Sequence, residues 1–493
     1  MLAKIPPLPF WCFLFFAGFF CFTQAPVFGD PDTAWHIATG ALWSAQGVVT
    51  QDPWSWTMDG ANWLNYSWGY GVIIEWLYRH TTATILFPLT IFWYAGLVSA
   101  MCHLALKQGA NAACVVIVLS VVLMIIYPGV LLRPNMITLA FAIISYFFLR
   151  DLERFSEWVS WVTIPLLTLL WINLHGGFVV LFLIFAVFGA EALIQRDWDR
   201  LAKLTVMGGI CFVLTFANPF GYGIWDGVRI ALQSQFNSEI KEWQPANFSE
   251  NIFLLVLLGL FLIGSGFDDK RTRLADRIWV FVLFYYTVTS LRHSVMFALF
   301  AIPFASVALS RTAEVLPFSH WLLRLGERLN EILKQPEIRP AMFVACMVIG
   351  IAVASPYPRD AMLGSHADLP REKLSQDDLT YLQTHYAGKK LLNHYDLGGY
   401  LILWGQGNPK VFVDGRAGNL YPDALLMEYR DFMRFAGQDT RGKEVHKKYG
   451  FTHVILPKTL DLTSWFKNDV WEADYVGESV VVFRIKALKK KSF

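Results

Sequence analysis

Two aspartates separated by one proline open a polar cluster that reads Gly29-Asp30-Pro31-Asp32-Thr33-Ala34-Trp35-His36. Pro31 fixes the backbone between the carboxylates and disfavours helix at Asp30, so both acids project from one extended or turn segment. Carboxylates at i and i+2 of a strand-like stretch share a face. Such a pair can hold a divalent cation, Mg or Mn, through oxygen ligands. Alternatively, one acid serves as general base while the other orients the acceptor. Asp32-Thr33 can also cap a helix across 33–45. Capping accounts for Asp32 but not for Asp30, so Asp30 is the favoured base. His36 follows Asp32 by one helical turn and joins the pair as a catalytic candidate, against the plainer role of a satisfied polar side chain.

Four further clusters carry polar or cationic residues: Leu132-Arg133-Pro134-Asn135, Trp171-Ile172-Asn173-Leu174-His175-Gly176-Gly177, Asn218-Pro219-Phe220-Gly221 and Arg292-His293. Arg133, His175, Arg292 and His293 are candidate phosphate ligands, because cationic donors fit phosphate oxygens. The competing role for the arginines is snorkelling, and for the histidines satisfying helix ends. Aromatic residues crowd the segment after Asp32, among them Trp35, Trp43, Trp54, Trp56, Trp63, Trp68 and Trp76. Flat amphipathic rings suit the headgroup level. They also suit stacking on sugar faces, and the interfacial role takes the larger share.

The elements that must position these clusters are apolar. Hydrophobic residues make up 55% of the 493-residue chain and charged ones only 16%, against a usual soluble value of about 25%. This excludes a disordered chain, a coiled coil and an ordinary cytosolic enzyme. A net charge of +2 supplies no basic field for nucleic acid. The six cysteines all lie in apolar runs without zinc-ligand spacing, so they read as small buried hydrophobes. Apolar runs near 9–28, 84–106, 112–128, 134–149, 158–173, 177–194, 203–217, 251–266, 276–291, 294–310 and 340–355 predict about 11 membrane spans. The first is read as an uncleaved anchor, because Pro26 spoils the cleavage region after Ala25. Lys and Arg number sixteen in one alternating set of loops and five in the other. The richer set is therefore cytoplasmic, and loop 29–83, loop 218–250 and the chain after 356 face outward. All five polar clusters then fall at outward span ends. Ionisable groups gathered there mark a functional site by default.

Apolar density drops after Pro356-Tyr357-Pro358, a linker. The chain thus divides into a membrane-embedded catalytic part, 1–355, and a small extracytoplasmic α/β domain, 356–493. Strand patterns occupy Lys390–Asn393, Lys410–Val413, Thr452–Leu456 and Ser479–Ile485, and helical patterns Leu397–Trp404 and Pro422–Phe435. Gly398-Gly399 lacks the third glycine of a dinucleotide fingerprint. The terminal Lys489-Lys490-Lys491 reads as a solvated end.

The chain resembles the GT-C superfamily of membrane glycosyltransferases, and within it a bacterial branch. The resemblance is carried by Asp30–Gly40 (DPDTAWHIATG), Trp171–Gly177 (WINLHGG), Asn218–Gly221 (NPFG), Asn393–Trp404 (NHYDLGGYLILW) and Val413–Arg416 (VDGR). It implies a polytopic α-helical membrane enzyme of a bacterial inner membrane, with its C-terminal domain outside. It implies transfer of a sugar, with inversion, from a polyprenyl-phosphate carrier to a glycan, lipid or protein acceptor. Asp30 or Asp32 stands for the acidic residue of the first loop. The WWDYG-like acceptor motif of oligosaccharyltransferases is missing from the sequence, which speaks against whole-oligosaccharide transfer. A transporter or flippase, or a non-catalytic cell-envelope assembly protein, are the rival classes. The first would place its polar residues near the midplane and in repeated halves. The second leaves Asp30 and Asp32 without a role.

Overall fold

The computed structural model describes residues 30–81, 83–152, 157–265, 273–316, 320–334, 374–435, 440–467 and 469–486, with positions 8, 12, 16 and 17. The expected span near 9–28, apart from positions 12, 16 and 17, lies outside the described residues. So do the span near 340–355, the linker at 356–358 and the lysine tail.

Nine expected spans coincide with helices: α3 (Ala83–Lys107), α4 (Ala112–Ile126), α5 (Asn135–Arg150), α6 (Glu157–Leu174), α7 (Val179–Gln195), α8 (Trp198–Leu214), α10 (Ile252–Ser265), α11 (Leu274–Thr289) and α12 (Ser294–Val315). Among the described residues, four stretches are long and apolar enough to cross a membrane: Pro88–Lys107, Ala112–Gly129, Gly176–Gln195 and Leu291–Val315. Asn135–Arg150, Trp158–Leu174 and Ile252–Ile263 are apolar but shorter. At about 1.5 Å per residue, helices of these lengths cover roughly 18–26 Å of a core near 30 Å thick. α8 and α11 carry Asp199 and Asp276 in their first turns. Eleven full-length spans are therefore more than the described helices supply by length alone. The centre of the bundle is α12, apolar on every side and buried along most of its length against α3, α4, α10 and α11.

At one end of the bundle a buried ion network ties four helices. Arg150 pairs with Asp276 at 3.0 Å, and Arg273 pairs with Glu191 at 2.8 Å. Tyr146 donates to Asp276, and Arg200 donates to the Leu149 carbonyl at 3.1 Å. Arg273 and Asp276 open α11, Glu191 belongs to α7, Arg200 to α8, and Tyr146 and Arg150 to α5. The polar clusters gather at the opposite end.

There the first loop folds into a helical hairpin, α1 (Pro31–Gln46) and α2 (Trp68–His80). Asp30 starts α1: its backbone is extended, its carboxylate accepts the Asp32 N–H at 3.1 Å, and Pro31 takes the first helical position. The capping role expected of Asp32 thus belongs to Asp30. The two helices cross closely enough that a Cβ on Gly40 would lie 2.0 Å from the Gly71 carbonyl oxygen. Trp35, Trp43, Trp54, Trp63 and Tyr70 are buried, whereas Trp76 is exposed. These rings form the core of the loop rather than the interfacial belt that the sequence led us to favour.

The C-terminal part holds a four-stranded sheet in the order β1-β2-β4-β3, with β1 (Leu391–Asn393) parallel to β2 (His453–Pro457). β3 (Trp471–Val476) and β4 (Val480–Ile485) add antiparallel. Helices α14 (Gln376–His385), α15 (Gly398–Gly405), α16 (Asp423–Arg434) and α17 (Thr440–Tyr449) surround it. β3 replaces Lys410–Val413 as the fourth strand. That segment leaves the sheet because its backbone pairs with the first loop: Trp56 N–H donates to the Val411 carbonyl at 3.0 Å, and Val411 N–H to the Trp54 carbonyl at 3.0 Å. α15 packs on α1.

Two exposed positions test the orientation that the charge asymmetry predicts, Lys443 on α17 and Arg328 on α13 (His320–Lys334), the helix that follows α12. In a cysteine-free background, Lys443→Cys should react with a membrane-impermeant thiol reagent in intact cells once any outer membrane is permeabilised. Arg328→Cys should react only after lysis. The reverse pattern would invert the topology.

Candidate functional site

The acid pair meets Arg133 because two backbone segments are pinned together. The Thr33 hydroxyl on α1 donates to the Leu132 carbonyl at 2.9 Å. This brings the junction between α4 and α5 against the start of α1. Tyr94 of α3 holds the same junction, donating to the Gly129 and Leu131 carbonyls at 3.1 and 3.3 Å. The Arg133 guanidinium then straddles Asp30, with its Nε on Oδ2 and Nη2 2.6 Å from Oδ1. The same Nη2 lies 3.3 Å from Oδ2 of Asp32, and Nη1 reaches Glu242 at 3.1 and 3.2 Å. One guanidinium therefore serves three carboxylates.

Glu242 gave no sequence signal. It lies in loop 218–250, where no periodicity singles it out, and it is placed by the backbone. Leu291 N–H donates to the Gln244 carbonyl at 2.9 Å, and Ala246 N–H to Val288 at 3.1 Å. These bonds strap the loop across the turn between α11 and α12. They also set Trp243 under Arg292, whose guanidinium carbon lies 3.9 Å from the ring centroid. Arg292 feels the charges of Glu242, Asp32 and Arg133. Among the described residues no carboxylate lies within ion-pair distance of it.

The two acids differ in environment. The Asp30 side chain is 3% exposed and both its oxygens face Arg133; that of Asp32 is 21% exposed. Asp32 keeps a hydrogen bond from Trp35 Nε1 at 3.0 Å. Burial and the neighbouring Asp30 push its carboxyl up to about 7, against the opposing pull of Arg133 and Trp35.

The histidines do not join the acids directly. His36 is buried between Trp35, at a ring separation of 3.6 Å, and Tyr70 of α2, at 5.3 Å. Burial holds it well below the usual imidazole range, aided by the charges of His175 and Arg133. It is a neutral packing residue of the hairpin, and its Nδ1 has no partner among the described residues. His175 accepts the Gly177 N–H at 3.3 Å and faces the Thr138 hydroxyl at 2.7 Å, both through Nδ1. The Thr138 oxygen in turn accepts the Trp171 indole N–H at 2.9 Å, which leaves its own proton for Nδ1 and places the imidazole proton on Nε2. His293 sits next to Arg292, edge-on to Tyr286 at 5.6 Å. The Asn218-Pro219-Phe220-Gly221 turn closes the ring of clusters. Asn173 donates to the Ala217 carbonyl at 3.1 Å and accepts from Trp68 at 3.1 Å, and Phe220 packs on Trp43. All five clusters thus meet at one end of the bundle.

No group of three or more His, Cys, Asp or Glu side chains among the described residues is arranged to hold a metal. Asp30, Asp32 and Glu242 converge, but on Arg133. A divalent cation bound by Asp30 and Asp32 would have to displace the guanidinium, so the acids as arranged do not fit a metal.

No protein-family model matches the chain and no curated protein matches its sequence. Among solved structures, the chain is similar to the oligosaccharyltransferase of Archaeoglobus fulgidus in the apo form, at a TM-score of 0.54 and 11% identity, over 93% of this chain and 70% of that one. The same enzyme tethered by a disulfide bond to an acceptor peptide containing the NVT sequon matches at a TM-score of 0.52 and 11% identity, over 89% of this chain and 66% of that one. At this identity the likeness is one of fold. The helical bundle and the C-terminal sheet follow the fold of that archaeal protein.

Asp30 is an ion-paired buried group and not a solvated loop carboxylate. Arg133→Gln should therefore cost about 3–5 kcal/mol of stability, the usual consequence of stranding one half of a buried pair. Adding Asp30→Asn should restore more than half of the loss, as read from unfolding of the purified proteins in detergent. Additive losses in the double variant would show that the pair is not coupled.

Proposed function

We propose that this protein is an inverting membrane glycosyltransferase that moves a sugar from a polyprenyl-phosphate carrier to an acceptor hydroxyl or amine, with Asp32 as the base. The observation that carries this reading is the pairing of a partly open carboxylate titrating near neutrality with a nearby arginine that lacks a carboxylate partner among the described residues. The fold shared with an oligosaccharyltransferase supports the reaction class.

Asp32 takes the proton of the acceptor as its oxygen or nitrogen attacks the anomeric carbon. The bond from that carbon to the phosphate oxygen breaks, and polyprenyl phosphate leaves with the electron pair. Inversion follows from attack opposite the leaving group. Arg292, held over Trp243, meets the charge developing on the phosphate, and the Nε2–H of His175 is a second donor. Arg133 keeps Asp30, Asp32 and Glu242 together rather than serving as a free phosphate ligand. The carrier tail lies among the apolar helices of the 1–355 membrane part, and the 356–493 unit faces outward from a bacterial inner membrane. The acceptor is a glycan, a lipid or a protein.

The active form of Asp32 is ionised. Transfer measured in membranes with a lipid-linked donor should therefore rise with pH and level off above about 7. Asp32→Asn should lower turnover by a factor of about 100 to 10,000 at the plateau, the usual share of general-base catalysis. Near-normal transfer by Asp32→Asn would remove the base from this mechanism.

Arg292→Ala should weaken binding of a polyprenyl-phosphate analogue by about 2–5 kcal/mol, the cost of removing one partner of a desolvated charge pair. Unchanged affinity, measured with the purified protein, would move the phosphate elsewhere.

A further inference from the structure

The Val413-Asp414-Gly415-Arg416 turn of the C-terminal unit lies directly against the acid pair. A Cβ built on Gly415 would sit 1.8 Å from Oδ1 of Asp32 and 2.8 Å from Nε1 of Trp35. Only a residue without a side chain lets the main chain come this close.

What holds the turn there is Arg416, an arginine with no exposed side-chain surface. Its Nε and Nη2 each lie 2.7 Å from Asp414, and its Nη1 lies 2.6 Å from Asp52 in the first loop. Its guanidinium carbon lies 5.2 Å from the Trp54 ring centroid and 4.8 Å from that of Trp63. Tyr421 donates to Asp414 at 2.5 Å, and Asp52 also accepts the Trp54 and Ser55 N–H groups. Every charge in the cluster has a partner. Its consequence lies one residue away, at Gly415.

We propose that Arg416 is a positioning residue: by clamping the first loop to the C-terminal unit it fixes the Gly415 backbone over the Asp32 carboxylate and makes that unit one wall of the acid site. The proposal rests on the reading of Asp32 as the functional acid. It explains why Lys410–Val413 is drawn out of the sheet to pair with the first loop. Asp32 is then lined by several elements while keeping part of its side chain open. Asp30 and Trp35 flank it on α1, Arg133 comes from the α4–α5 junction, and Glu242 and Arg292 come from the strapped loop and the α11–α12 turn. Tyr395 and Tyr400 approach from the C-terminal unit, close enough for the Asp32 charge to act on their phenols.

The test reads Asp32 without relying on transfer. A hydrophobic carbodiimide modifies protonated carboxyls, so the pH dependence of its adduct on the Asp32 peptide, measured by mass spectrometry on the full chain in detergent, reports when Asp32 loses its proton. The wild-type midpoint should lie near 7. In Arg416→Ala and Asp52→Asn the freed turn admits water, and the midpoint should fall by on the order of one pH unit or more. Arg416→Lys, which keeps the charge but not the fork, should fall between. A midpoint unchanged in the folded variants overturns the proposal, as does a wild-type midpoint in the ordinary carboxylate range. Should Arg416→Ala not fold, Asp52→Asn decides alone by the same criterion. A wild-type protein that transfers no sugar would sink the proposed function but leave this titration intact.

Discussion

The arrangement of the polar end of this molecule depends on one guanidinium. Arg133 touches Asp30, Asp32 and Glu242, which reach it from the first loop and from the 218–250 loop. Without a cation at that point three carboxylates would face one another, Asp30 with almost no access to water, and the loops that carry them would be driven apart. Desolvated charges of one sign cost several kcal/mol each unless paired. The hairpin of α1 and α2 and the strap across the α11–α12 turn are thus held to the bundle by the same side chain.

The charge balance around Arg133 also separates the roles of the two aspartates. Asp30, Asp32 and Glu242 face Arg133 and Arg292, which leaves one negative charge in excess. The group that yields is the one least engaged with Arg133: burial, together with the neighbouring Asp30, pushes the Asp32 carboxyl up to about 7. A base with that property holds its proton weakly enough to exchange it with an acceptor at working pH. At the other end of the bundle Arg150, Arg273 and Arg200 meet Asp276 and Glu191. There each of the three arginines has a carboxylate within ion-pair distance, Arg150 reaching Asp151 as well. That end ties helices together.

Much of this was legible in the sequence. Apolar runs placed nine helices, and the polar clusters at alternate ends of those runs converge at one end of the bundle. The helix expected across 33–45 begins two residues earlier, at Pro31, so Asp32 lies in its first turn and not in an extended segment, and the extended backbone at Asp30 makes that residue the cap. Glu242 and Trp243 were illegible because backbone bonds to Leu291 and Val288 place them, and such bonds leave no mark on residue type. Lys410–Val413 alternates like a strand and does pair, but with Trp54 and Trp56 of the first loop. The tryptophans that suited a membrane interface became the packing of that loop because Arg416 and Asp52 needed a dry, aromatic surround. β3, edge-placed and irregular where Ala473 and Tyr475 shift register, carries too little alternation to be read.

The most direct measurement is a structure of the protein with a polyprenyl-phosphate sugar analogue bound. The phosphate should contact Arg292 above Trp243, with the anomeric carbon facing Asp32 and Arg133 still joined to Asp30. A phosphate bound at the Arg150–Arg273 end, or a sugar remote from Asp32, would contradict the assignment of this site.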